Sequence, residues 1–462
     1  MTAFDDVLGG ISSFIWGPWL LIPLLLLTGL YLTVLLRGIQ VRRFRLAFWL
    51  AFIRRKDLGA EGDISHYQAL STALAATVGV GNIAGVATAI ALGGPGAVFW
   101  MWFTGMVGMA TKYSEAFLGV RFRRTDAAGE QSGGPMHYLR HGIKGRLGVV
   151  LGGFFAVAGA LAAFGIGNMT QANTVAANVS EEWGVAAPIT GVVIVVLAAA
   201  VILGGIKSIG RVTSLFVPVM IVIYIVGAAA VLAFNIGAVP AALATIFSDA
   251  FTGTSATGGF AGAAVAAAIR YGVARGIFSN ESGLGTGGIA AAAAKTTHPV
   301  RQALVSMTQT FIDTLVVVSF TALTIVVTGV WKEAGPDEAA SFTARAFAQG
   351  LPGTWGSVIV TLSVIFFAFS TLLGWSYYGE RCVEYLFGRR AVFPYRIVFI
   401  IVIYIGATTA LQTVWTFSDV MNGLMALPNL IGLIILSPLV YRETRAYFRG
   451  EEHAADMAAR RH

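Results

Sequence analysis

The sequence predicts an all-α polytopic membrane protein of eleven transmembrane helices, one extra helix followed by a 5+5 inverted-repeat core. Three observations predict it. Of 462 residues, 56% are hydrophobic and only 12% charged, with a mean hydropathy of +0.76, whereas a soluble chain carries about 25% charged residues. Apolar runs of about 20 residues recur along the chain, each long enough to cross a bilayer as a helix. The loops between them alternate between basic and non-basic, as in a chain that crosses repeatedly and keeps its arginines and lysines on one side. Short alternating segments, which build outer-membrane barrels, do not occur.

The first apolar run, 13–36, is long enough to remain as a span. With the basic loop after it, carrying Arg37, Arg42, Arg43, Arg45, Arg54, Arg55 and Lys56, it forms segment 1–60. A first five-helix repeat, 61–236, holds spans near 66–93, 97–120, 147–178, 188–206 and 212–234. A second, 237–441, holds spans near 257–292, 302–330, 353–386, 396–413 and 416–440. Residues 442–462 form a tail whose end, Glu451–His462, reads as short, charged and mobile. The loop 121–146 is basic, and the opposite loops carry Glu181, Glu182 and Glu333. With the basic loops in the cytoplasm, the N-terminus lies outside and the C-terminus inside a plasma (inner) membrane. The net charge of +8 is thus explained by topology and not by nucleic acid. One cysteine, Cys382, excludes an internal disulfide framework. Asp5 and Asp6, in place of a basic stretch, argue against a cleaved signal peptide.

The ten spans after the first divide into two sets of five. Five is odd, so the second set runs opposite to the first across the membrane. The first span of each set is interrupted by glycine: Thr77-Val-Gly-Val-Gly-Asn-Ile-Ala-Gly85 in one, Gly272 to Gly287 in the other. Unwound backbone in lipid is costly, and paired breaks in matching positions point to the binding site of a secondary transporter.

In the first break, Gly79, Gly81 and Gly85 allow unwinding, which frees carbonyls for a cation and N–H groups for a carboxylate. Asn82 adds an amide oxygen and Thr77 a hydroxyl. The alternative is helix packing, since Gly81 and Gly85 stand in GxxxG spacing. The second break holds Arg275, Asn280 and Glu281. Counted from residue 257, these fall past the middle of the span, toward the cytoplasm, so Arg275 and Glu281 read as a cytoplasmic gate, with Arg275 pairing Glu281 or Glu115. Asp313 falls near the middle of its span, where a carboxylate needs a cation or a basic partner such as Lys112, Arg275 or Lys295. Gln171 is polar within a span, and Ser370 and Thr371 offer adjacent hydroxyls that otherwise bond back to their own helix. Trp375 lies too deep for an interfacial belt, which Trp415 fits. Enzyme chemistry is not indicated. Six histidines show no metal-ligand spacing, and Gly283-Leu-Gly-Thr-Gly-Gly288 lacks the lysine of a phosphate loop.

Several motifs resemble the alanine or glycine:cation symporter family: Ile64-Ser-His-Tyr-Gln-Ala-Leu-Ser-Thr-Ala-Leu-Ala-Ala-Thr77, Gly79 to Gly85, Gly93-Gly-Pro-Gly-Ala-Val-Phe-Trp-Met-Trp102, Gly133-Gly-Pro-Met-His-Tyr138, Gly276-Ile-Phe-Ser-Asn-Glu-Ser-Gly-Leu-Gly285 and Gly374-Trp-Ser-Tyr-Tyr-Gly379. The resemblance spans nearly the whole chain. It implies a core of leucine-transporter type and symport of a small neutral amino acid with Na+ or H+. It implies no cofactor beyond the coupling ion, no nucleic acid and no obligatory protein partner besides membrane lipid. By similarity, Asn82 is a cation ligand, and a second sodium site uses the Ala75 and Val78 carbonyls with Ser370 and Thr371. The substrate site maps to the Thr77–Gly81 backbone, with Gly79 between them, and to Gln171, Phe278 and Trp375. Val80 departs from the threonine expected at its position.

Overall fold

A computed structural model describes residues 3–55, 57, 59–252, 261–333, 339, 341–409, 411–450, 453–454 and 456–457. The described residues are mostly helical, with one two-stranded hairpin among them pairing Arg124–Thr125 with Gln131–Ser132. Arg146–Trp183, Gly205–Phe234, Pro299–Thr328, Trp355–Phe387, Arg389–Thr408 and Val414–Tyr447 are each long and apolar enough to cross a membrane. Gly96–Arg121 has comparable length but carries Lys112 and Glu115 among its buried residues. Side chains such as Val192, Val196, Val222 and Val226 stay exposed, as expected where lipid, not water, is the outer solvent.

The first predicted span is corrected. Instead of one helix over 13–36, Ala3–Ile15 and Leu21–Leu35 are separate helices. The Gly17-Pro18 pair between them supplies the stop, because proline has no N–H to donate. Fifteen residues cover only about 22 Å. The last helix also runs past its expected end at 440, continuing to Tyr447.

Both glycine-interrupted spans are broken helices. The first begins at Ser65, whose hydroxyl accepts from Gln68 N while the Gln68 side chain accepts from Ser65 N, a reciprocal cap. His66–Thr77 ends where Val78 leaves helical geometry, one tight turn follows over Val80–Asn82, and Ala84–Gly93 resumes. The second runs Ala261–Asn280, breaks, and resumes as Thr286–Ala292; residues 253–260, where its start was expected, lie outside the described residues. Glu281, Gly283 and Gly285 have φ of 57°, 103° and 88°. Two glycines make that left-handed path accessible, while Glu281 is held in it against its preference.

The two broken helices lie side by side in opposite directions. Asp63 N donates to Ala293 O (2.8 Å) and Lys295 N to Ile64 O (2.7 Å), which ties the start of the first to the end of the second. At the other end, Gly93 lies against Ala267 and Ala268. The basic loop 37–60 lies at the Asp63 end.

The expected mobile tail is also corrected in part. Asp456 is fully buried and bonds Arg54, Arg301 and Tyr447. Arg301 also reaches Asp57 (3.0 Å), which accepts from Thr297 N and Oγ1. Burial alone would raise the Asp57 pKa. The His66 ring, the Thr297 donors and Arg301 outweigh it and hold the carboxyl well below its usual range. A depressed folded pKa contributes stability that is present above the unfolded value of about 3.9 and is lost as pH falls below it. Thermal unfolding of detergent-purified protein should therefore soften as pH drops below about 4, and less so in Asp57→Asn. Equal acid sensitivity of the two proteins would refute this.

Candidate functional site

Between the two breaks lies a small cavity of about 10 Å³, lined by Ala76, Thr77, Gly79, Gly81, Ile166, Gln171, Phe278, Glu281, Thr371 and Trp375. This is room for about one water, so anything larger enters only as the surrounding side chains move. All six residues expected to contact substrate line it: Thr77, Gly79, Gly81, Gln171, Phe278 and Trp375. Three elements besides the broken helices position them. Gln171 stands just after a wide π turn, Gly165–Met169, within the Arg146–Trp183 helix. Thr371 and Trp375 are one turn apart on Trp355–Phe387. Gly167 packs against Trp375 so closely that a Cβ there would overlap the indole.

The first break exposes polar backbone. Gly79 N donates to Asn82 Oδ1 (2.9 Å), which replaces the helical bond lost there. Val80 N and Gly81 N have no acceptor among the described residues. Gln171 Nε2 donates to Ile166 O (2.9 Å), while the buried Oε1 has no partner. Thr77 Oγ1 bonds back to Ala73 O (3.0 Å). Two glycines here sit in close contacts. A Cβ on Gly79 would collide with Thr371 Oγ1, and one on Gly81 would come within 3.1 Å of the Phe278 ring. Gly85 meets nothing within 4 Å, so no close packing occurs at the second glycine of the GxxxG spacing.

Two oxygen clusters flank the cavity. In one, Ser370 Oγ lies 3.2 Å from Ala75 O and 3.5 Å from Val78 O, and Thr371 Oγ1 lies 3.1 Å from Ala75 O. Both hydroxyls also bond back to Phe367 O. The other centres on Asp313, fully buried in a π-wound stretch, Phe311–Val318, of its helix. Its Oδ1 accepts from Asn82 Nδ2 (2.8 Å), and its Oδ2 from Ser279 Oγ and Thr314 Oγ1 (2.8 Å each). Among the described residues no basic side chain pairs with Asp313. Lys112 instead donates to Glu281 O (3.1 Å) and lies 3.7 Å from Glu115.

The predicted gate needs correction. Arg275 pairs with neither Glu281 nor Glu115; it meets Asp419 at 3.5 Å. It precedes the break in Ala261–Asn280, so it lies on the far side of the cavity from the basic loops. The count from residue 257 misplaced it, because the break comes later in the span than its length suggests. Trp415 is more than a belt residue. It stacks on Phe278 with ring centroids 5.3 Å apart, and Arg275 lies over both rings. Glu281 takes Trp375 Nε1 (2.7 Å) and Thr286 Oγ1 (2.6 Å). Glu115 accepts from Gly283 N, Gly285 N and Asn429 Nδ2 (2.9, 2.9 and 2.8 Å). The amides of Glu281 through Gly285 are thus satisfied within the protein, while Val80 N and Gly81 N beside the cavity are not.

Ser279, Thr314, Asp419 and Asn429 were not foreseen. Ser279 stood beside Asn280 in a quoted motif, but hydroxyls are too common in membrane helices to signal a site. Asp419 could have been found as a carboxylate inside a predicted span.

Two discontinuous helices whose breaks gather unpaired amides and oxygen clusters inside an apolar helical bundle are the arrangement of a membrane secondary transporter. The chain belongs to the sodium:alanine symporter family, whose profile matches residues 1–461. The sodium/alanine symporter AgcS of Methanococcus maripaludis is 53% identical over 96% of this chain and 97% of its own. The probable sodium/glutamine symporter GlnT of Bacillus subtilis is 35% identical over 98% and 92% of the two chains. The putative sodium/proton-dependent alanine carrier protein YrbD of the same organism is 34% identical over 98% and 94%. Among solved structures, a manganese transporter mutant of Eremococcus coleocola aligns at 14% identity and a TM-score of 0.47, covering 79% of this chain and 76% of that one; at that score it carries no weight for the fold.

Proposed function

We propose that this chain imports a small neutral amino acid, alanine or glycine, together with sodium by alternating access. The observation that carries this reading is the convergence on one cavity of two free amides, one unpartnered amide oxygen and two oxygen clusters. The substrate carboxylate lies against Val80 N and Gly81 N, at the positive end of the half-helix that follows. Its ammonium donates to Gln171 Oε1. Phe278 and Trp375 close over the side chain and exclude large ones. One sodium is held by Ala75 O, Val78 O, Ser370 and Thr371. A second is held by Asn82 with Asp313, which forms no ion pair among the described residues. Sodium in either place steadies the first break, so ion and substrate favour each other's binding reciprocally.

Eleven crossings with the N-terminus outside and the C-terminus in the cytoplasm accompany this reading, with a 5+5 inverted repeat of leucine-transporter type. The antiparallel run of the two broken helices supports the repeat. On that orientation, Arg275–Asp419 over Phe278–Trp415 forms an outer gate. Glu115 and Lys112 hold the second break in shape. Glu281 links that break to Trp375.

Uptake of labelled alanine into proteoliposomes should require an inward sodium gradient and saturate with substrate. Asn82→Ala should lower sodium affinity by about tenfold or more, since it removes an acceptor for Gly79 N and a donor to Asp313. Unchanged sodium affinity would remove Asn82 from the site, and uptake indifferent to every cation gradient would refute symport. Proton coupling is the second reading, favoured by the burial of Asp313 without an ion pair among the described residues. Uptake driven by a pH gradient without sodium would establish it.

A further inference from the structure

A cavity of about 240 Å³ opens between the segment Leu36–Arg43 and the end of the last helix, beyond Tyr441. Five arginines line it, Arg37, Arg42, Arg43, Arg445 and Arg449, and no carboxylate among the described residues does. None of the five guanidinium groups has an ion pair or hydrogen bond with a described residue. The acid next to Arg445 along the helix, Glu443, is already engaged by Arg121 (3.1 Å). Arg43 sits over the Phe448 ring at 4.1 Å; partial burial and the neighbouring Arg42 charge both push its pKa down. Several other arginines on this face are paired, among them Arg54 and Arg301 with Asp456 and Arg381 and Arg396 with Glu380. Topology alone requires basic residues on this side. It does not require five of them around one hollow without a counter-charge among the described residues, where like charges repel.

We propose that this hollow binds the phosphate headgroup of an anionic phospholipid, which bridges the N-terminal extra helix to the last helix. The acyl chains have a ready path. Leu27, Leu30 and Val34, at 63%, 44% and 70% exposure, form an outward stripe on Leu21–Leu35 that leads into the hollow. A basic pocket between helix ends at the membrane surface is the chemistry that retains such headgroups. Free phosphate shares that chemistry but has no use for the apolar stripe.

The test is lipid binding to the purified full chain, read by thermal stabilisation and native mass spectrometry. Phosphatidylglycerol and cardiolipin should bind and stabilise the protein, and phosphatidylcholine should not. The double variant Arg42→Gln/Arg445→Gln should weaken anionic-lipid binding about 10- to 30-fold, while Arg42→Lys/Arg445→Lys should retain most of it. If the glutamine variant does not fold, salt competition on the unaltered protein decides: bound phosphatidylglycerol should be displaced by high salt. Equal binding of neutral and anionic lipid would overturn the proposal, as would insensitivity to both substitutions. Inorganic phosphate giving the same stabilisation as phosphatidylglycerol would also overturn it.

Discussion

Asp313→Ala should reduce sodium-driven amino-acid uptake by about 100-fold or more, because it strands three buried donors at about 1–3 kcal/mol each. Those donors are Asn82 Nδ2, Ser279 Oγ and Thr314 Oγ1. Part of that loss is damage to packing and hydrogen bonding and not to ion binding, so Asp313→Asn is the sharper variant. It keeps an acceptor oxygen at the same place and removes only the charge. The protein should fold and insert normally, and the sodium concentration needed for half-maximal uptake should rise at least about tenfold. Wild-type sodium affinity in Asp313→Asn would exclude the carboxylate as an ion ligand. Lost dependence on external pH with sodium affinity intact would reassign Asp313 to proton coupling.

The second large effect is expected at Gly79. A methyl group there meets Thr371 Oγ1, so Gly79→Ala must push apart the first break and the helix that bears Ser370 and Thr371. Overpacking of this kind costs about 1–3 kcal/mol. It falls on the four oxygens proposed to hold sodium and on one wall of the substrate cavity. Uptake should be abolished while insertion into the membrane persists. Gly85→Ala is the matched control, since its Cβ meets nothing within 4 Å. It should transport like the unaltered protein, and its helix should be slightly stabilised. Near-normal uptake by Gly79→Ala would refute the close approach, and loss of uptake in Gly85→Ala would revive a packing role for that glycine.

Much of the site was legible because its parts lie on short motifs. The glycines of 77–85, with Asn82 three residues after Gly79, mark a place where a helix must open, and Asn82 closes the gap by accepting Gly79 N. Asp313 was conspicuous because a carboxylate in an apolar run is expensive. Arg275 was equally conspicuous, yet its partner was misassigned. Asp419 is 144 residues away, and which of several acids an arginine meets depends on how two helices rotate and slide against each other. The first span failed for a different reason: hydropathy runs smoothly across Gly17-Pro18, while the backbone cannot.

The sequence by itself determined the helical membrane class, the two breaks and the candidate polar residues, because hydropathy, glycine and proline act locally on the backbone. Tertiary structure alone decided that Asn82 meets Asp313 across 231 residues, and that Glu115 takes two amides of the second break. It also decided on which side of the cavity Arg275 stands. Contacts of this kind are set by helix packing, in which one turn of rotation or a few ångströms of sliding exchanges every partner, and no local pattern of residues encodes that choice.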